Sequence, residues 1–386
     1  MASATLGIGA VARSPAAQTA AFLFFANGFI AANWFVRIPA VKERLALSDA
    51  ELGIALMSFG VGSVVALPVA GAMITRFGSA RMSISTGMLY CAAFGAIGLA
   101  PSLVTVCAAL FLAGMGNGFM DVSMNAQTNA VEQREGITMM SFAHAMFSLG
   151  MALGSIPAGI FASYGVSVAI NLAFVGLPLA ALIVLFAPRM VPDPPVDGPP
   201  PPLFAVPRGP LLFFGLLCLA GAIVEGAMAD WTAIFVRESQ TLSAAMAAAT
   251  FGAFAFAMFV ARLVGDSVNA RLGPVLAVRS GLILAAAGLA VFLTGWPPAL
   301  LLGAAAVGIG VAGVFPSVFT AAGRLKGHAP GPAMAASVTL GYIGFMAGPG
   351  ILGAIADATS LTVALAALIP LALTGAALAG TLRTDR

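Results

Sequence analysis

Long apolar segments that carry almost no charge constrain this chain more than any other feature. A membrane-spanning helix needs about 20 mostly apolar residues, and the sequence contains twelve such segments. They cover residues 18–38, 50–74, 82–100, 103–130, 138–162, 165–187, 210–235, 243–267, 275–294, 298–321, 333–356 and 360–381. Charged residues make up only 8% of the chain, against about 25% in soluble domains. The sequence therefore predicts an all-α membrane protein with twelve transmembrane helices.

The basic residues between the apolar segments are distributed asymmetrically. With the N-terminus placed in the cytoplasm, the outer loops hold only Arg37, Lys42, Arg44 and Arg237, and Arg262 lies inside a span. All other Lys and Arg residues then fall on the cytoplasmic side, as the positive-inside rule requires. We therefore expect a multi-pass protein of the inner membrane with both termini in the cytoplasm. No basic face is concentrated anywhere, so nucleic acid is not expected as a partner.

A proline-rich interruption divides the sequence into two halves. Residues 188–209 read PRMVPDPPVDGPPPPLFAVPRG, and so many prolines favour an extended linker over a helix. This predicted linker separates an N-terminal six-helix bundle at 1–187 from a C-terminal six-helix bundle at 210–386.

The two halves also resemble each other. At a constant offset of 194 residues, Gly114 falls on Gly308 and Gly150 falls on Gly344. A parallel repeat of six spans implies a pseudo-two-fold axis along the membrane normal. We therefore expect two pseudo-symmetric six-helix bundles.

Two loops carry a recognisable pattern. The loop after the second span reads GAMITRFGSAR, and its counterpart after the eighth span reads GDSVNARLG, with Asp266 and Arg271. The first loop resembles the signature G-x-x-x-D-R-x-G-R-R of the major facilitator superfamily, with Thr75 in place of the signature's aspartate. The residues that match are Gly71, Arg76, Gly78 and Arg81. The resemblance extends over essentially the whole chain and implies that both loops act in gating.

The fourth span, which contains GNGFMDVSMNAQTNAVE, resembles the fucose-permease-like branch and related uncharacterised bacterial permeases. In the fucose permeases, a carboxylate on this span and an asparagine four residues later are implied in proton coupling and sugar binding. Asp121 and Asn125 match those positions. Those permeases also carry a carboxylate on the first span, where this chain has only Asn27 and Asn33.

Polar residues recur along one face of the fourth span. Asn117, Asp121 and Asn125 follow one another at intervals of four residues, which aligns them on a helix. A charged aspartate at the bilayer centre costs about 3 kcal/mol, so Asp121 should face the protein interior or be protonated. We interpret Asp121 as a proton-coupling carboxylate, with Asn117 and Asn125 in substrate binding. The alternative for Asp121 is a packing or hydrogen-bonding role.

His144 belongs to a second polar stripe, on the fifth span. Since the loop between spans four and five is short, the two spans run antiparallel, and His144 should lie at the depth of Asn125. Histidine titrates near neutral pH, which suits a proton carrier. A structural hydrogen-bond donor is the alternative.

The seventh span contains two further acids. Glu225 is the candidate for proton coupling, and Asp230 lies nearer the outer face. We expect that these acids do not share a helix face, because five residues separate them. Asp230 and Trp231 are candidate substrate-binding residues, as are Asn27 and Trp34 on the first span. If the repeat holds, Asn27 faces Glu225 across the pseudo-axis.

The halves differ where Asp121 and Asn125 fall on Phe315 and Phe319. We therefore expect the N-terminal half to hold more of the polar site, with Phe315 and Phe319 as apolar walls of the substrate site. The alternative for these two residues is that they are core aromatics.

Motifs of other protein classes are missing. There is no G-x-x-x-x-G-K-[ST] motif of an ATP-driven pump, no metal-ligand spacing and no nucleophile arrangement, so neither an enzyme nor a cofactor is expected. The leading hypothesis is a monomeric secondary transporter in the lipid bilayer that moves a small polar solute, sugar-like solutes first, with protons. The alternatives are proton-antiport efflux of amphipathic drugs and a transporter-like sensor that does not translocate.

Overall fold

The computed structural model describes residues 8–193, 207–325 and 330–383. Within these residues, twelve helices are long and apolar enough to cross a membrane, and no strand occurs. We number them α1 Pro15–Phe35, α2 Asp49–Phe77, α3 Ser79–Leu99, α4 Leu103–Glu135, α5 Met140–Ser163, α6 Val168–Phe186, α7 Pro210–Ile234, α8 Ala244–Leu272, α9 Pro274–Phe292, α10 Pro297–Val311 and Val314–Gly323, α11 Pro330–Ala358, and α12 Leu361–Ala366 and Leu368–Leu378. The predicted fold class is confirmed. Residues 194–206 of the predicted linker lie outside the described residues.

The ends of α4 show how local sequence sets a helix boundary. Its N-cap residue Ser102 accepts a hydrogen bond from the backbone N–H of Thr105, which satisfies a donor that the helix leaves free. At the other end, Gly136 adopts the left-handed conformation with φ 66°, which glycine adopts readily. The helix therefore ends at Glu135, beyond the predicted boundary at residue 130.

A short helix, Ile38–Leu45, occupies part of the stretch that the sequence predicted to be a loop. Pro39 stands in its first turn, where the missing N–H of proline costs nothing. The helix has only eight residues and carries charged side chains, so a search for long apolar segments does not detect it.

The two halves repeat one packing scheme. In the N-terminal half α1 packs on α5 and α2 on α4, and in the C-terminal half α7 packs on α11 and α8 on α10. Across the boundary between the halves, α2 packs on α11 and α5 on α8. A pseudo-two-fold axis exchanges these last two pairs, because α2 corresponds to α8 and α5 to α11 in the sequence repeat.

Because the number of spans is even, the start of the first span and the end of the last span lie at the same end of the bundle, which we call the termini end. At the opposite end, the sealed end, the halves are in close contact. A Cβ atom added to Gly353 of α11 would lie only 2.5 Å from the carbonyl oxygen of Asp49 at the start of α2. The backbones of the two halves therefore touch there.

An ion-pair cluster reinforces the sealed end. Lys42, on the short helix after α1, lies 2.7 Å from Asp49 of the same half. Its ammonium group also pairs with Glu238, which follows α7 in the other half. Lys42 thus connects the two halves through Glu238.

Gly114 of α4 gives a direct test of the packing inside the N-terminal half. A Cβ atom at this position would lie 2.0 Å from the carbonyl oxygen of Phe59 on α2. We expect Gly114→Ala to destabilise the protein by about 1 to 3 kcal/mol through overpacking, measured as a lower melting temperature in detergent. Gly95→Ala is the matched control, since no atom lies within 4 Å of its added Cβ. Equal melting temperatures for the two variants would contradict the close approach of α2 and α4.

Candidate functional site

A cavity of about 290 Å³ lies between the two halves. Helices α1, α2, α4 and α5 line it on one side, and α7, α8 and α11 line it on the other. The polar residues that line it are Asn27, Ser63, Asn117, Asp121, His144, Glu225, Asp230, Arg262 and Tyr342. Most of the remaining wall is aromatic or aliphatic. A concave, largely apolar space with a few polar groups is typical of a small-molecule site.

The cavity opens toward the termini end. His144 lies four residues after the start of α5, at that end of the bundle, and its side chain lines the cavity and is exposed. At the sealed end, the contacts of Gly353 and Lys42 close the space between the halves. The structure thus has one open and one closed end.

Asp121 lies near the middle of α4 and faces the cavity. The side-chain amide of Asn125, one turn later, donates to Asp121 Oδ1 at 3.2 Å and to the Asp121 carbonyl oxygen at 2.8 Å. Tyr342 of α11 brings its hydroxyl within reach of the same carboxyl group. The carboxyl group therefore lies at the boundary between α4 of one half and α11 of the other.

Arg262 of α8 connects the two halves at the cavity. Its Nη1 donates to the hydroxyl oxygen of Ser148 on α5 at 2.7 Å, and its Nη2 donates to Glu225 Oε1 on α7 at 3.2 Å. The two side chains of the ion pair are only 15% and 13% exposed. Glu225 therefore has a cation beside it in the cavity wall.

Asn27 and Asn117 bring polar groups from α1 and α4 together. The Asn27 amide donates to Asn117 Oδ1 at 3.3 Å. Asn27 Oδ1 is buried and accepts no hydrogen bond from the described residues. Both residues line the same cavity as Glu225.

Glu225 and Asp230 both line the cavity, although they do not share one narrow helix face. The cavity-lining residues of α7 are Glu225, Gly226, Ala229 and Asp230. Their spacing covers an arc of about 140° on a helix of 3.6 residues per turn, and the cavity is broad enough to meet the whole arc. Asp230 makes no hydrogen bond or ion pair to any of the residues that the structure describes.

Four predicted substrate-binding residues do not line the cavity. Asn125 bonds Asp121 instead. Trp231 lies about 100° around α7 from Asp230 and is fully buried. Phe319 is 39% exposed on α10, which contributes no lining residue among those described. Phe315 stacks on Phe345, with ring centroids 5.9 Å apart, and it is Phe345 that reaches the cavity.

Five of the nine polar lining residues come from the N-terminal half and four from the C-terminal half, so the two halves contribute almost equally to the polar site. The C-terminal half contributes Glu225, Asp230, Arg262 and Tyr342 to the cavity. Sequence reasoning missed Arg262 and Tyr342 as site residues. Arg262 had a usable signal, because it is a basic residue inside an apolar span, whereas a single tyrosine in an apolar span has none.

The predicted gating loops lie at the termini end, away from the cavity. Arg76, Arg81, Asp266 and Arg271 are exposed, and none of them forms an ion pair within residues 8–193, 207–325 and 330–383. Gly71 and Gly78 are partly exposed in the first loop.

The N-terminus of α3, directly after that loop, is capped from the start of the linker. Asp193 accepts hydrogen bonds from the backbone N–H of Ser79, at 2.6 Å, and from the Ser79 hydroxyl. The side-chain amide of Gln127 on α4 donates to Ser79 Oγ at 2.6 Å and to the Val191 carbonyl at 2.8 Å. These contacts tie the start of the linker to the first loop and were not predicted.

Twelve membrane-length helices in two halves, with a polar cavity between them, define a membrane transporter rather than an enzyme. Residues 20–279 match the Major Facilitator Superfamily. The chain is 33% identical over 359 residues to an uncharacterized MFS-type transporter of Yersinia pestis, with 92% of each chain covered. It is 30% identical over 351 residues to the membrane protein MosC of Rhizobium meliloti, covering 90% of this chain and 86% of that protein.

Solved structures agree on the fold. The chain superposes on a bacterial homolog of the human lysosomal transporter Spinster, in an inward-facing and occupied conformation, with a TM-score of 0.73 at 13% identity. The match covers 95% of this chain and 96% of the other. The chain belongs to the major facilitator superfamily.

The contact between Arg262 and Glu225 predicts a strong thermodynamic coupling. Arg262→Met leaves a largely buried carboxylate without its cation, which costs about 3 to 5 kcal/mol, so the melting temperature in detergent should fall. Glu225→Gln in the same chain should recover most of the loss, because it removes the stranded charge. Additive effects of the two substitutions would contradict the ion pair.

Proposed function

We propose that the chain is a secondary active transporter that moves a small polar solute, sugar-like solutes first, together with protons. The observation that carries the proposal is the cavity between the halves, which both halves line and which Asp121, Glu225 and Asp230 face. A midplane site at the interface of two repeats is the arrangement that alternating access requires. The asparagine amides on α1 and α4 suit hydroxyl groups, and the aromatic walls suit the apolar faces of a ring.

Proton coupling rests on the position of Asp121. As a carboxylate it accepts from Asn125 and lies within reach of the Tyr342 hydroxyl on the opposite half. Protonation removes the charge that makes occlusion costly and weakens the acceptor that faces Tyr342. A proton on Asp121 therefore favours movement between the halves. Glu225 and His144 are the further candidates for carrying protons.

The membrane orientation belongs to the same proposal. The positive-inside bias places the termini end in the cytoplasm of a bacterial inner membrane. The open cavity then faces the cytoplasm and the sealed end faces outward. The exposed loops that carry Arg76 and Arg271 would meet when the termini end closes, which is their proposed gating role.

A second candidate is proton-antiport efflux of amphipathic compounds. The specific observation that favours it is the aromatic and methionine content of the wall, with Phe59, Phe147, Met124 and Met151 among the lining residues. Such adaptable apolar surfaces accept varied ligands. The direction of solute movement under a pH gradient separates the two candidates.

Asp121→Asn is the direct test of coupling. A screen of sugars, polyols and drugs for thermal stabilisation first supplies a solute, which is then followed in proteoliposomes with an imposed pH gradient. We expect the variant to lose gradient-driven accumulation but to retain solute exchange, because asparagine keeps the size of the side chain and cannot carry the proton. Asp357→Asn, an exposed acid at the end of α11, is the control. Accumulation at the wild-type level in Asp121→Asn would refute the proposed role.

Alternating access predicts that the Lys42 cluster holds the sealed end closed. Lys42→Ala removes the ion pair with Glu238, so the sealed end should open more often. Spin labels at Glu43→Cys and Ser239→Cys, in a chain whose native cysteines are replaced, report the distance between the halves. We expect longer distances in Lys42→Ala.

The control for this experiment is Arg237→Ala, because the one acceptor of Arg237 among the described residues is the Leu242 carbonyl of its own half, at 2.8 Å. An unchanged distance distribution in Lys42→Ala would show that the cluster does not restrain the sealed end.

A further inference from the structure

Charge in the cavity is unbalanced. Three carboxyl groups line it, those of Asp121, Glu225 and Asp230, and Arg262 is the one Arg or Lys side chain in the wall within the described residues. Arg262 is already engaged by Glu225. Asp121 has the amide of Asn125 as a donor. The remaining carboxyl group, Asp230, therefore lacks a counter-charge in the wall.

Among the described residues, Asp230 also has no hydrogen-bond or ion-pair partner. Its side chain is partly exposed, and that exposure is to the cavity. A carboxylate in a largely apolar enclosure is costly unless a cation accompanies it. The structure offers space beside Asp230 for such a cation.

His144 does not fill this role. It lies four residues after the start of α5, at the termini end, whereas Asp230 lies four residues before the end of α7, at the sealed end. The ring of His144 packs edge-on against Phe24, with centroids 4.9 Å apart. The two groups therefore occupy opposite ends of the cavity.

Aromatic rings surround the same end of the cavity as Asp230. Trp34 and Phe35, the last two residues of α1, line it there, and Phe35 lies 5.7 Å from Phe251 of α8 between ring centroids. Phe254 of α8 completes this wall. The negative faces of aromatic rings attract organic cations, so the rings and the carboxylate favour the same kind of ligand.

We propose that the transported solute carries a protonated amine, which binds between the Asp230 carboxylate and the aromatic rings at the sealed end of the cavity. This inference rests on the proposed transport function and specifies the solute's charge. Hydroxyl groups elsewhere on the solute form hydrogen bonds with the side-chain amides of Asn27 and Asn117. Asp230 is then the residue that selects cationic over neutral solutes.

Three probes of one shape and different charge test the inference: 2-phenylethylamine, 2-phenylethanol and phenylacetate. Binding is measured by titration calorimetry on the full-length protein in detergent at neutral pH. We expect the amine to bind about tenfold more tightly than the alcohol or better, and phenylacetate to bind most weakly. Equal affinities for amine and alcohol, a preference for phenylacetate, or no binding of the amine at millimolar concentration would overturn the inference.

Variants then assign the preference to Asp230. Asp230→Asn should remove the advantage of the amine over the alcohol, Asp230→Glu should retain it, and the control Asp357→Asn should match the wild type. An amine preference that survives in Asp230→Asn would place the cation site elsewhere and overturn the assignment.

The outcome is separable from that of the transport proposal. Amine binding without flux in proteoliposomes would support the proposed cation site and refute the proposed transport function. Flux of a neutral solute by a protein with no amine preference would keep transport and refute the cation site.

Discussion

The free-energy cost of placing a charge in lipid determines where the ionisable side chains of this molecule lie. A bilayer core offers neither water nor counter-ions, so an ionisable side chain in a span must face a cavity or a partner. Asp121, Glu225, Asp230 and Arg262 lie within three predicted spans, and all four side chains line the space between the halves. The interface between the halves is therefore the place where the chain concentrates its polar chemistry.

That interface has two ends of different character. At the sealed end, small residues bring the backbones of α2 and α11 together, and Lys42 adds an ion pair across the boundary. Toward the termini end, the cavity is lined by the exposed side chain of His144. Between them, Arg262 donates to Ser148 of the other half, and Asp121 lines the cavity opposite Tyr342, so a change of charge at the centre alters the contacts between the halves. This is the physical basis on which solute, proton and conformation are coupled in the proposed function.

Much of the fold was predictable because the bilayer constraint acts locally. Each apolar segment of about 20 residues has few alternatives to a spanning helix, and the structure has twelve such helices. Ionisable residues within spans were predictable as cavity residues for the same reason. The short helix Ile38–Leu45 was not, because it is stabilised by its contacts at the sealed end rather than by an apolar pattern.

Side-chain partners in the site were not predictable, since they depend on how separate helices rotate and pack. The burial of Trp231 and the lack of α10 residues in the described cavity lining depend on packing between helices, which the pattern of a single sequence does not reveal. The contact between Arg262 and Ser148 joins residues 114 positions apart. The repeat also misled, because it suggested that Phe315 and Phe319 occupy the places of Asp121 and Asn125, whereas α10 is broken after Val311.

The central claim is that the cavity between the halves is accessible from one end at a time. Ala229→Cys, in a chain with Cys91, Cys107 and Cys218 replaced by alanine, places a single thiol on the cavity wall. In proteoliposomes of known orientation, a membrane-impermeant thiol reagent should modify it from the termini side and not from the opposite side. Modification from neither side, or equally fast modification from both, would contradict the account.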